Sequence, residues 1–292
     1  MRKTVNIAGK IIGDGHPCFI TAEIGINHNG SVALAKKLID IACVAGCDAV
    51  KFQKRTVDVV YTPEELAQPR QSVFGETNGD LKRGLEFGYD EYKEIDEYCK
   101  EKGIIWYASC WDEASVDFIE QFNVPCYKIA AASLTDDNLL KYTKSKGKPI
   151  FLSTGMSTME QIRHAVDILG EDNLVIYQCT STYPSDEKEI NLKVIETFRK
   201  EFDCPVGYSG HERGLMPTVI SVVYGANAVE RHITNDRTNW GSDQAASLEL
   251  DGIHRIVRDI RKIPNVAGDG IKKVYDRELP IIKKLRRVQW VN

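Results

Sequence analysis

Two histidines occupy matched places in this 292-residue chain. His211 closes the apolar run 205–211, and His232 stands near the end of the run 226–233. A stretch of helical pattern separates the runs. If both runs are strands of a parallel barrel, both imidazoles point into the C-terminal mouth, where such folds keep their chemistry. Neutral imidazoles suit Mn, Fe, Co or Zn, and Asp243 offers an oxygen one polar loop later. The competing reading makes one histidine a core residue and the other a surface residue.

The ends of the other apolar runs are also polar. The first gives Glu23, then Asn27 and His28; the second gives Lys51, Gln53 and Lys54. Later runs end in Ser109, in Lys128, in Ser153 and Thr154, and in Thr180 and Ser181 followed by Tyr183. Ser209 precedes His211, and Glu230 precedes His232. Alternate residues of a strand share a face, so Lys51 goes with Gln53 and Glu230 with His232. A lysine in an apolar strand is costly unless paired, so Lys51 and Lys128 imply anions. Those anions are either Glu23 and Glu230 or a ligand bearing carboxylate and phosphate.

The elements that would position these groups recur regularly. Apolar runs at 19–25, 48–53, 105–110, 126–131, 149–154, 173–180, 205–211 and 226–233 read as eight strands. Helical stretches lie between them. In the first, Leu34, Leu38, Ile41, Ala42 and Ala45 share a face, and Gly46 ends it. Gly103, Gly147 and Gly170 close later helices. Eight strand–helix repeats predict a (β/α)8 TIM barrel. A doubly wound sheet would carry a Gly-rich phosphate loop after its first strand, and the segment AEIGINHNG lacks that pattern. Residues 5–16 predict a short N-terminal hairpin with Gly13-Asp14-Gly15 near its turn, placed to plug the barrel bottom. A single domain is expected over 1–292, with the hairpin in 1–16, the barrel in 17–264 and a polar extension in 265–292. The polar insertion 54–88 reads as a lid or pocket wall.

Composition narrows the function. The chain is 42% hydrophobic and 27% charged with a net charge of −4, an ordinary globular balance. Its cations are scattered, which argues against nucleic acid. The one basic cluster, at 283–287, reads as a solvated helix face. No apolar run spans a membrane, and residues 1–16 lack a signal-peptide core. The eight cysteines form no C-x-x-C pair and read as reduced, so a cytoplasmic setting is expected. Cys110 and Cys179 lie nearest strand ends, but no activating neighbour can be placed beside them.

The segments TAEIGINHNG, DAVKFQKR, FLSTGM, GYSGHERG and VERHITND, in this order, resemble the signature segments of the sialic acid synthase family. The resemblance runs over nearly the whole chain. It implies condensation of phosphoenolpyruvate with an N-acylated aldose to give a nine-carbon 2-keto acid, by a homodimeric enzyme of the cytoplasm. It implies metal ligation by His211 and His232, with Mn2+ the first choice and Mg2+ or Co2+ the alternatives. Phosphoenolpyruvate contacts fall on Lys51, Ser109, Lys128, Ser153 and Ser209, with Ser181 where the family usually has Asn. Sugar contacts fall on Glu23, Gln53, Tyr183, Glu230 and Asp243. Glu23, Lys51, Lys128 and Glu230 are the expected catalytic groups. Two departures stand out. Ala131 and Ser133 replace a phosphate-contacting serine and an acidic residue, and Trp111 fills a position usually held by another side chain. The family's C-terminal antifreeze-like domain is not in this sequence, and a separate antifreeze-like partner chain is one expected source of it. The alternatives are a legionaminic- or pseudaminic-type acceptor, a Schiff-base aldolase using Lys128, or a degenerate barrel acting as a partner subunit.

Overall fold

The computed structural model describes residues 2–288. A hairpin of β1 (Val5–Ile7) and β2 (Lys10–Ile12) comes first. Eight parallel strands of a closed barrel follow, interrupted by a second hairpin. They are β3 (Phe19–Gly25), β4 (Ala49–Lys54), then β5 (Pro69–Ser72) and β6 (Gly75–Thr77) of the hairpin, and β7 (Ile105–Cys110). The barrel continues with β8 (Tyr127–Ile129), β9 (Ile150–Ser153), β10 (Leu174–Cys179), β11 (Val206–Gly210) and β12 (Ala228–His232). β12 pairs back onto β3 and closes the ring. The (β/α)8 barrel expected from the eight apolar runs is what the chain forms.

The helices around it are α1 (Val32–Ala45), α2 (Val57–Val60), α3 (Pro63–Leu66), α4 (Asn78–Leu85), α5 (Tyr89–Lys102), α6 (Glu113–Glu120) and α7 (Asp137–Ser145). Next come α8 (Met159–Leu169), α9 (Glu187–Ile190), α10 (Val194–Glu201), α11 (Met216–Val223), α12 (Leu250–Ala267) and α13 (Leu279–Leu285). Helix α1 shows the local logic. The Ser31 hydroxyl accepts from the Leu34 amide, Leu38 and Ala42 face inward, and Gly46 ends the helix at φ 84°. No helix among the described residues is long and apolar enough to cross a membrane.

Inside the barrel the strand alternation stacks residues in layers. Phe151 stacks on Phe19, Tyr107 and Tyr177 with ring centroids 6.0, 5.3 and 5.5 Å away. The Tyr107 and Thr21 hydroxyls meet at 3.0 Å. This aromatic floor fits only because Gly207 has no side chain: a Cβ there would lie 2.4 Å from the Tyr177 ring. The polar residues of the next layer therefore stand on a dry, rigid base.

The hairpin lies at the barrel bottom, with Val5, Ile7 and Ile12 fully buried. Lys10 pairs with Asp48 at 2.6 Å, just ahead of β4. Its turn is Ala8–Gly9, both at positive φ, and not Gly13-Asp14-Gly15 as expected. A two-residue turn of that hand matches the strand twist, and the later glycines belong to the exit from β2. Two further expectations need correction. The fourth barrel strand ends at Ile129, because residues 131–133 fold into a 3-10 turn in which the Ser133 amide bonds to the Ala130 carbonyl. The insertion is not a loop. It folds as α2, α3, the β5–β6 hairpin and α4, with capping boxes at Thr62 and Thr77.

The chain divides into two compact units, 1–261 and 262–292. The described part of the second unit is exposed and holds the end of α12, a 3-10 turn and α13.

Candidate active site

The strand register decides which polar groups meet. Glu23 is the cross-strand partner of both Lys51 and His232, Ser109 of both Gln53 and Lys128, and Ser209 of Glu230. All these residues line one cavity above the aromatic floor, at the C-terminal mouth. Ser153, Ser181, Tyr183 and His211 line it too. Of the site residues expected from sequence, Asp243 alone is not in the wall. It stands behind His232, its Oδ2 3.5 Å from Nδ1.

The two lysines pair with Glu23 and Glu230, the internal anions that the sequence offered beside a ligand. Lys51 Nζ lies 3.0 Å from Glu23 Oε1 and 3.6 Å from Glu230 Oε1. Lys128 Nζ lies 3.1 Å from Glu230 Oε2 and 4.1 Å from the Tyr177 ring centroid. The four charges compensate one another, and each is almost completely buried. Burial pulls the Lys51 ammonium down, but Glu23 and Glu230 outweigh it and hold it above its ordinary range. At Lys128 burial wins over the attraction of Glu230, helped by repulsion from Lys51, and the ammonium is weakened. Burial works against the Glu230 carboxylate, yet Lys128 and then Lys51 hold it well below the usual range.

The carboxylate of Glu23 is only half satisfied. Oε1 meets Lys51 and also accepts from Gln53 Nε2 at 2.8 Å, whereas Oε2 is buried with no partner. A bare carboxylate oxygen in a cavity wall is ready for a hydroxyl or a transferable proton.

His211 and His232 sit with ring centroids 5.3 Å apart. Nδ1 of His211 lies 2.7 Å from the Thr180 carbonyl, an acceptor, so that nitrogen carries the proton and Nε2 keeps its lone pair. Burial, reinforced by His232, pushes its pKa down to about 3, so the ring is neutral. Nδ1 of His232 is buried without a hydrogen-bond partner. Among the described residues no group of three or more His, Cys, Asp or Glu side chains is arranged to hold a metal ion. With the Nε2 lone pair of His211 free and the two rings adjacent, His211 and His232 would hold a divalent ion through two imidazoles. Tyr183 covers the pair, with its ring centroid 4.1 Å from that of His211.

Several strand-end polar residues serve the scaffold instead. The stacked ring of His28 lies 4.0 Å from Phe87, and its Nδ1 accepts from the Gly30 amide at 3.1 Å. Asn27 bonds the Ile233 carbonyl, Lys54 the Phe87 carbonyl, Thr154 the Tyr177 carbonyl and Thr180 the Glu189 carbonyl. The Cys110 and Cys179 thiols are pushed up, chiefly by burial, and are no nucleophiles. Arg55, by contrast, escaped the sequence reading. Its guanidinium lies 4.3 Å from the Trp111 ring centroid and bonds Gln53 Oε1 and Glu86, fixing the Gln53 amide so that its nitrogen faces Glu23. Its signal was the spacing from Gln53, two residues back, at the start of the polar insertion. Trp111 and Ala131 both line the cavity, while Ser133 is buried and outside the lining.

Known proteins share this architecture and sequence. The human N-acetylneuraminate-9-phosphate synthase is 39% identical over 95% of this chain and 79% of its own length. The N,N'-diacetyllegionaminic acid synthase of Legionella pneumophila is 35% identical over 94% of this chain and 80% of its own. Among solved structures, the N-acetylneuraminic acid synthetase of Leptospira borgpetersenii superposes with a TM-score of 0.84 at 28% identity, covering 99% of both chains. The NeuB family model matches residues 38–272, most of the chain, and with these relatives it places the protein in the NeuB family.

Proposed function

We propose that this protein condenses phosphoenolpyruvate with an N-acylated aldose, forming a nonulosonic 2-keto acid and phosphate. The observation that carries the reading is the cavity itself. The closed barrel brings two lysines, four serine hydroxyls, two glutamates and a pair of imidazoles to a single mouth. Relatives named as sialic, legionaminic and pseudaminic acid synthases support the same chemistry.

Lys51, Lys128 and the hydroxyls of Ser109, Ser153, Ser181 and Ser209 would hold the carboxylate and phosphate of the donor. With donor bound, the lysines share their hydrogen bonds between ligand and glutamates. Gln53, Tyr183 and Asp243 flank the side from which the sugar enters. The enol C3 of phosphoenolpyruvate forms a bond to the aldehyde carbon, and the aldehyde oxygen gains a proton. Water adds at C2, its proton leaving to a base. The resulting hemiketal phosphate breaks its C2–O bond, releasing phosphate and leaving the ketone. Glu23 Oε2 is the acceptor best prepared to take the proton from water or hydroxyl, and Glu230 holds the two lysines in place. A divalent ion on His211 and His232, Mn2+ by the family resemblance, supplies Lewis-acid polarisation of the aldehyde oxygen when bound.

Trp111, Ala130 and Ala131 give the cavity an apolar side. The test is phosphate release from phosphoenolpyruvate with Mn2+, with and without EDTA, across N-acylated aldoses. Metal-dependent release with one sugar supports the reading and names the acceptor. Binding of neither Mn2+ nor phosphoenolpyruvate sinks it in favour of a degenerate barrel. Borohydride trapping of pyruvate on Lys128 would replace it with an aldolase.

A further inference from the structure

Three consecutive residues of β12 divide between two sites. Glu230 and His232 point into the barrel, and Arg231 points outward, towards α11. Arg231 is 1% exposed, as is Glu212, the residue directly after His211. Arg231 Nη1 donates to Glu212 Oε1 at 2.7 Å, to the Gly214 carbonyl at 3.0 Å and to the Thr218 hydroxyl at 2.8 Å. Nη2 donates to the Glu212 carbonyl. The second carboxylate oxygen, Oε2, accepts from the Tyr208 hydroxyl at 2.8 Å, and Oε1 also accepts from Thr218 at 2.9 Å. The cluster presses on Gly210, immediately before His211, where a Cβ would lie 2.5 Å from Glu212 Oε2. That oxygen is held by Tyr208 and is not free to move aside.

We infer that the buried Arg231–Glu212 pair is a positioning device for the histidine pair, fixing His211 relative to His232. Each partner is the chain neighbour of one histidine. The pair ties the loop after β11 to β12, adding contacts that the strand ladder lacks, since that ladder ends at Gly210 and Arg231. Side chains that orient ligands from behind typically change metal affinity by about 10–100-fold when removed. The inference rests on the reading that His211 and His232 hold a divalent ion.

The test is Mn2+ binding by calorimetry and by the EPR spectrum of the bound ion, on wild type, Glu212→Gln, Thr218→Val and the double variant Glu212→Gln/Arg231→Met. Thermal unfolding of each is followed in parallel. The expected result is a Kd about 10–100-fold weaker in Glu212→Gln, with a smaller loss in Thr218→Val. The double variant removes both buried charges, so it regains stability. Its Mn2+ affinity is expected to stay low and its EPR spectrum altered. If its affinity returns with its stability, the pair serves the fold alone and the inference falls. Wild-type affinity in folded Glu212→Gln and Thr218→Val overturns it as well. If Glu212→Gln does not fold, Thr218→Val and the double variant decide. Wild type that binds no Mn2+ overturns the metal reading itself, a separate result that takes the inference with it.

Discussion

The two faces of β12 carry two buried charge clusters built from similar parts and left in different states. On the outer face, both carboxylate oxygens of Glu212 and both terminal nitrogens of Arg231 are partnered, leaving Arg231 Nε alone without one. On the inner face, Glu23 Oε2 and Trp111 Nε1 are buried without a hydrogen-bond partner, and His232 Nδ1 has only the Asp243 carboxylate, 3.5 Å away. Buried polar atoms are ordinarily satisfied, so a run of exceptions within one cavity marks where a ligand completes the network. The saturated cluster fixes geometry. The unsaturated one is where chemistry is available.

Substitutions should separate the two faces. The largest effect on turnover is expected inside: His232→Ala should cut metal-dependent phosphate release by roughly 10²–10³-fold or more, the scale of losing a main electrostatic stabiliser. Its unfolding midpoint should stay near wild type. Steady-state assays beside thermal melts check this, and unchanged turnover would remove His232 from the site.

Stability should show the reverse order. Glu212→Ala strands a fully buried guanidinium and should cost about 3–5 kcal/mol, as expected for a broken buried pair. Glu23→Gln should cost far less, because Lys51 keeps Glu230 at 3.6 Å, while turnover collapses. Denaturant titration of both variants tests the contrast. Equal destabilisation would erase the distinction between the faces.

How much of this was readable in the sequence follows from the same distinction. The eight strands were legible because apolar runs alternate with helical ones, and the strand-end polar residues were legible because period-two alternation assigns them a face. Lys51 and Lys128 stood out as lysines in apolar strands. What they paired with was not legible, since Glu23 and Glu230 reach them through a register that only the closed ring defines. Nor was Arg231 visible as more than a charge beside His232, because its partner Glu212 lies 19 residues away. The hairpin turn was misplaced because Gly13 and Gly15 advertise a turn more loudly than Ala8-Gly9, which makes it. His28 shows the opposite limit: a polar residue just past a strand end that belongs to the core.

His28 also provides a pH test of the scaffold apart from the catalytic mouth. Burial, reinforced by Arg55, pushes its pKa down to about 3 from an unfolded value of about 6.5. The folded chain keeps it neutral while the unfolded chain takes up a proton. Stability should therefore be undiminished by this group above about pH 6.5 and should fall as the pH drops towards 3, by a few kcal/mol in all. His28→Asn keeps an acceptor for the Gly30 amide and should make that acid limb shallower, leaving the part that buried His211 contributes. Urea unfolding between pH 4 and 7 reads it. A limb of unchanged slope would assign the acid sensitivity to other groups.

The smallest effect tests the floor on which the inner cluster stands. Gly207→Ala places a methyl against the Tyr177 ring, whose face supports the Lys128 ammonium. Tyr177 is locked between Phe151 and the barrel wall, so the ring must tilt or the strand must shift. Overpacking of this kind costs about 1–3 kcal/mol. The outer cluster does not touch Tyr177, so Mn2+ affinity should be retained while the KM for phosphoenolpyruvate rises through the displaced lysine. A variant that loses Mn2+ affinity instead would show that the two faces are not independent, and that the aromatic layer couples them.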